Sequence, residues 1–155
     1  MAKKSAFESK SIAKRLAIFV PAFYIAFFLV VIIVLLASRI ALDARLVFML
    51  PFTWSAFTPV GAPIEIAPFV ALVVTFLSIG PVLIFSVVRT TKQCWDFSAT
   101  LWLLHLAITC LVTLSFPLNW VWWVTFVPCG VLMSTFGELA CYYLIDMREI
   151  ATDHT

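Results

Sequence analysis

Two titratable side chains stand inside long apolar runs: His105 within FSATLWLLHLAITCLVTLS, and Glu138 within the run that starts at Val121. Imidazole and carboxylate are residue types that take up and release protons in enzymes and pumps. Inside a hydrocarbon slab a charged group costs about 2.5–3.5 kcal/mol on insertion scales, so such residues face protein or water and find partners. His105 and Glu138 therefore form a candidate intramembrane polar pair. One chemistry is structural, holding a helix bundle together; the other is a proton or ion path, with Thr109, Thr113 and Ser134 as its polar lining. As an enzymatic acid and base the pair lacks a neighbouring nucleophile, metal-ligand spacing and a glycine-rich loop. No catalytic activity, cofactor or metal is expected.

Helices must position these groups. His105, Thr109 and Thr113 recur at steps of four, with Ser98 seven residues before His105, so they share one helix face. Gly130, Ser134 and Glu138 recur in the same way, flanked by Gly137 and Cys141. Gly130, Ser134 and Gly137 are the small residues that let helix backbones approach. A tight turn, 116–120, joins the two runs, so the two stripes are expected to face each other. Register leaves direct contact between His105 and Glu138 open. Counted from Asp96 and Asp146 their depths match; counted from the turn, Glu138 lies roughly one helical turn, about 5 Å, beyond His105.

Composition fixes the class. Of 155 residues 64% are hydrophobic and 12% charged, too apolar for a soluble domain, whose apolar share is nearer half. The charges leave four gaps long enough to cross a bilayer. The expected fold is an all-α polytopic membrane protein, a four-transmembrane-helix bundle forming one domain, with spans at about 16–37, 66–88, 97–115 and 121–145. Pro81, after Gly80, cannot donate its backbone hydrogen bond and predicts a kink in the second span. The long connection, 38–65, is rich in proline and aromatics. It reads as a surface segment with a short helix before Pro51, and Phe52, Trp54 and Phe57 settle at the membrane surface.

Charge placement orients the chain. Lys3, Lys4, Lys10, Lys14 and Arg15 precede the first span, Arg89 and Lys92 follow the second and Arg148 follows the fourth; only Arg39 and Arg45 fall on the opposite side. The positive-inside rule places both termini in the cytosol, with 1–15 a basic cytosolic arm, 38–65 a lumenal loop and 146–155 a cytosolic tail. The arm can contact anionic lipid through its five basic side chains. Trp120, Trp122 and Trp123 are assigned to the aromatic belt at the far interface. The four cysteines show no disulfide framework, and Cys94, in the cytosolic loop, is a candidate for palmitoylation.

The ordered set KQCWDF at 92–97, His105, FP at 116–117, WW at 122–123 and GEL…C from Gly137 to Cys141 resembles the Sys-one family of eukaryotic Golgi membrane proteins. The likeness covers the third and fourth spans. The amino-terminal half departs from it, since a Trp-Asp-Pro entry to the first span is absent. The resemblance implies a multi-pass Golgi membrane protein that docks an Arf-related small GTPase on its cytosolic face and supports vesicle and protein traffic at the trans-Golgi. Arg89, Lys92, Gln93 and Asp96 are the expected partner surface. No nucleic-acid partner is expected. The alternative function is a small proton-coupled transporter or channel using His105 and Glu138.

Overall fold

The computed structural model describes residues 2–88 and 91–146, and among these no strand occurs. Among the described residues four helical segments are long and apolar enough to cross a membrane. The first span lies in the helix Ala2–Ala37, the second runs from Pro63 to Val88, the third lies in Thr91–Thr113 and the fourth in Trp120–Cys141, prolonged by a π-helical turn at Tyr142–Asp146. Arg89, Arg148 and the rest of the tail beyond Asp146 lie outside the described residues, as do the side chains of Lys3, Lys4, Lys10 and Lys92.

The third helix starts earlier than its apolar run. Nothing between Thr91 and Phe97 breaks a helix, and Lys92 and Asp96 are tolerated at an end that meets the membrane surface. The expected polar connection is accordingly shorter, and Cys94 lies on the helix rather than in a loop. In the second span the predicted disturbance at Pro81 takes the form of two π turns, Thr75–Ile79 and Ile84–Val88, on either side of it. The Gly80 amide donates to the Thr75 carbonyl, five residues back. Widening the helix in this way absorbs the missing amide and the bulk of the proline ring without ending the span.

The second span packs against the first and the fourth, and the fourth against the third. Rings close the circle, because Phe19 of the first span meets Phe97 of the third edge-on at 5.9 Å. The fourth span can wedge between its neighbours because its contact residues are small. A Cβ on Gly130 would come within 2.6 Å of the Trp102 ring, and one on Gly137 within 2.8 Å of Ile84. Ser134, buried between them, returns its hydroxyl to the Gly130 carbonyl at 3.0 Å and so adds no unpaired donor.

The long connection is folded into the bundle. Its short helix, Ala44–Met49, is capped by Asp43, which accepts from the Arg45 amide, and a 3-10 turn follows at Leu50–Phe52. Phe52 and Phe57 do not lie on the membrane surface: they are 3% and 2% exposed. Burying two phenyl rings in the mouth of the bundle removes more apolar area from water than leaving them at an interface. Trp54 reaches the third span instead, donating to Thr113 Oγ1 at 3.2 Å. Asn119 then ties the loop to the fourth span. Its amide donates to the carbonyls of Trp54 and Phe57, both at 3.0 Å, while its Oδ1 accepts from the Val121 amide and caps the helix. The tryptophan belt is correspondingly split. Trp120 is 72% exposed, but Trp122 is fully buried against Phe126, with ring centroids 4.3 Å apart.

Candidate functional site

His105 occupies the centre of the molecule and is fully buried. Five rings surround its imidazole: Tyr24 and Phe27 from the first span, Phe52 from the connection, Phe76 from the second span and Phe126 from the fourth. Their centroids lie 5.6 to 6.1 Å from that of the imidazole. The Tyr24 hydroxyl lies 3.3 Å from His105 Nδ1. Nε2 has no hydrogen-bond partner among the described residues, and neither has the Thr109 hydroxyl one turn further along. The third span thus presents its one imidazole to a shell of aromatic faces and edges drawn from every other part of the fold. That arrangement packs and orients the imidazole.

Glu138 stands elsewhere. Phe126 lies beside His105, and Glu138 follows it by twelve residues, so the carboxylate lies about 18 Å further along the fourth span. Its partner is Trp95, whose Nε1 donates to Oε2 at 2.8 Å. The two titratable residues therefore do not pair with each other. The register read from Asp96 and Asp146 put them at one depth and the register read from the turn put them about 5 Å apart; the packed hairpin exceeds both. The reason is in the faces: the third span turns His105 towards the bundle axis, whereas Glu138 lies at the rim on the seam between the third and fourth helices. Of the other residues of the supposed polar path, Ser134 bonds within its own helix and Thr113 bonds Trp54 and the carbonyls of Thr109 and Ser115.

The rim around Glu138 has three further contacts. Cys94 and Cys141, on either side of the same seam, are fully buried with sulfurs 3.6 Å apart. Arg15 of the first span donates to the Val88 carbonyl at 2.6 Å and reaches Gln93 Oε1 at 3.5 Å. A guanidinium at the last carbonyls of the second span satisfies a group that the helix itself leaves open and complements the negative end of its dipole. Asp96 is exposed, and Gln93 is half-buried beneath Arg15. Of the expected partner surface, these two are the residues whose side chains are described. Cys94 is fully buried, which keeps it from an acyl transferase working at the membrane surface. Of the five basic residues of the arm, Lys14 is exposed and Arg15 is engaged with the second and third spans.

Several residues of this geometry carry no motif. Tyr24 could have been found as the one phenol in the middle of an otherwise apolar first span, since a buried tyrosine hydroxyl needs a partner. Trp95 could have been found as the donor at the depth of an otherwise unmatched carboxylate. Asn119, the only asparagine of the chain, stands one residue before the fourth helix, an N-cap position. Trp102 had no such signal: its indole covers Gly130 and donates to the Phe126 carbonyl at 3.2 Å.

Similarity to known proteins adds what geometry cannot. The profile of the SYS1 family, described as "Integral membrane protein S linking to the trans Golgi network", matches residues 2–152. A curated relative, "Protein SYS1 homolog" of Nematostella vectensis, is 36% identical over 62 residues, which are 40% of this chain and 39% of the relative. That alignment thus spans about two fifths of the relative's length. No solved structure matches the chain.

Proposed function

Because the chain belongs to the SYS1 family of integral membrane proteins linked to the trans-Golgi network, we propose that it docks an Arf-related small GTPase on the cytosolic face of the Golgi and so supports vesicle and protein traffic there. It is a multi-pass Golgi membrane protein; the docking step is the proposal. The observation that carries it is the family match over nearly the whole chain.

The docking surface is the end of the bundle that carries Arg15, Gln93, Asp96 and Glu138, together with Lys92 at the start of the third helix and Arg89 just before it in sequence. Both termini and that connection face the cytosol, and 38–65 faces the lumen, on the strength of the charge distribution. A stiff end suits a receptor, since residues already held in place lose little freedom on binding. The Arg15, Trp95 and Cys94 contacts supply that stiffness. A GTPase anchored in the same membrane is already confined near the receptor, which raises its effective concentration. The basic arm adds attraction to anionic lipid beside the docked partner.

The test is affinity purification of the full chain from mild detergent, followed by partner identification, and imaging of the GTPase after the protein is removed from cells. Co-purification and dispersal of the GTPase from Golgi membranes are expected. An unchanged distribution together with no recovered GTPase would refute the docking role.

A further inference from the structure

Cys94 sits in the first turns of the third span and Cys141 in the last turn of the fourth, and their sulfurs approach to 3.6 Å in a site closed to solvent. We propose that this pair is a reversible disulfide-forming site, oxidised by a small hydroperoxide, that clamps the third and fourth spans at the end of the bundle bearing Glu138. The proposal does not rest on the docking reading.

Three features favour the reaction. A disulfide needs its sulfurs at about 2.05 Å, so closure asks for a movement of roughly 1.5 Å. The fourth helix passes into a π turn directly after Cys141, a place where a helix changes its winding and adjusts locally. The register is already set next door, because Trp95 and Glu138 bond across the same seam one and three residues away. Two thiols held in this way react at the high effective concentration of an intramolecular pair. Cys110 and Cys129 lie far from the seam's end, Cys110 about 24 Å along the helix from Cys94, and serve as internal controls.

The balance is two thiols and one hydroperoxide giving one disulfide, one alcohol (or water, from hydrogen peroxide) and one water. In the first step one sulfur attacks the peroxide oxygen; the O–O bond breaks, the thiol's proton passes to the departing oxygen, which leaves as the alcohol or water, and the sulfur becomes a sulfenic acid. In the second step the other thiol attacks that sulfur; the S–S bond forms, the S–O bond breaks, and the departing hydroxide leaves as water with the second thiol's proton. A dithiol reduces the disulfide back to two thiols by exchange and is itself oxidised to its own disulfide.

The experiment uses the full chain in proteoliposomes treated with hydrogen peroxide, denatured in the presence of an alkylating agent and mapped by non-reducing peptide mass spectrometry. Two of the four alkylatable thiols are expected to be lost, with one linked peptide joining Cys94 to Cys141, and dithiothreitol is expected to restore both. Cys94→Ala and Cys141→Ala should each give no linked peptide, and the variant that keeps the attacking sulfur should carry it as a sulfenic acid that dithiothreitol returns to the thiol. Four unchanged thiols, oxidation to sulfinic acid without a link, or a link that involves Cys110, Cys129 or a second copy would overturn the proposal. The wild-type map decides the matter by itself should either variant fail to fold.

Discussion

The two titratable residues of the hairpin teach opposite lessons about polar groups in a membrane protein. His105 lies where all the spans and the long connection meet, walled by five rings and held by one phenol. Glu138 lies at the rim, held by one indole, beside a cation bridge from the first span and a pair of thiols. The first is embedded so thoroughly that its chemistry serves the fold. The second is only half-buried, and its surroundings can change without dismantling the core.

Mutations at the two places should separate accordingly. The largest effect is expected from His105→Ala, which empties the ring cluster and leaves the Tyr24 hydroxyl without its hydrogen-bond partner. A loss of about 3–5 kcal/mol is expected in denaturant-induced unfolding in detergent. His105→Phe restores the ring but not the hydrogen bond, so about 1–3 kcal/mol should be lost. Equal losses for the two variants would mean that ring packing is not what the residue contributes. Asn119→Ala comes next. It removes a helix cap and two bonds to the connection, together about 2–3 kcal/mol, and amide exchange over Trp54 to Phe57 should quicken. Protection unchanged there would show that the connection is held by its rings alone.

Gly130→Ala forces a methyl against the Trp102 indole, an overpacking worth about 1–2 kcal/mol and a shift in tryptophan emission. A neutral result would mean that the third and fourth spans part more easily than their contact suggests. The smallest effect belongs to Glu138→Gln. The amide oxygen can still accept from Trp95, and the site is at the rim, so about 1 kcal/mol or less is expected. A loss as large as that of His105→Ala would erase the distinction between core and rim.

Much of the fold was legible because membrane physics simplifies it. Uncharged runs of helical length, bounded by Arg15, Arg39, Glu65, Arg89 and Asp96, leave few alternatives to four crossings. Packing glycines were legible from their spacing, since Gly130 and Gly137 do meet neighbouring helices. The partners of the polar groups were not. Hydropathy gives depth only to within a turn or two and says nothing of rotation about the helix axis. The third span consequently turns His105 to the centre while Glu138 stays at the seam, and Tyr24, at the far end of the chain in sequence, supplies the bond. Phe52, Phe57 and Trp122 were misplaced for a related reason. An aromatic residue at a span's end suits the interface and the core equally by composition, and tertiary packing chose the core.

The claim that the rim, not the His105 core, is where a partner docks has one direct measurement. In cells expressing only the variant, the amount of Arf-related GTPase that co-purifies per molecule of full-length protein should be compared for Asp96→Lys and His105→Phe. Asp96→Lys should leave abundance and unfolding unchanged while cutting the recovered GTPase at least about fivefold, the effect of roughly 1 kcal/mol of lost binding. His105→Phe should lower abundance yet leave the ratio intact. Full GTPase recovery with Asp96→Lys, or a ratio that falls with His105→Phe alone, would contradict the account.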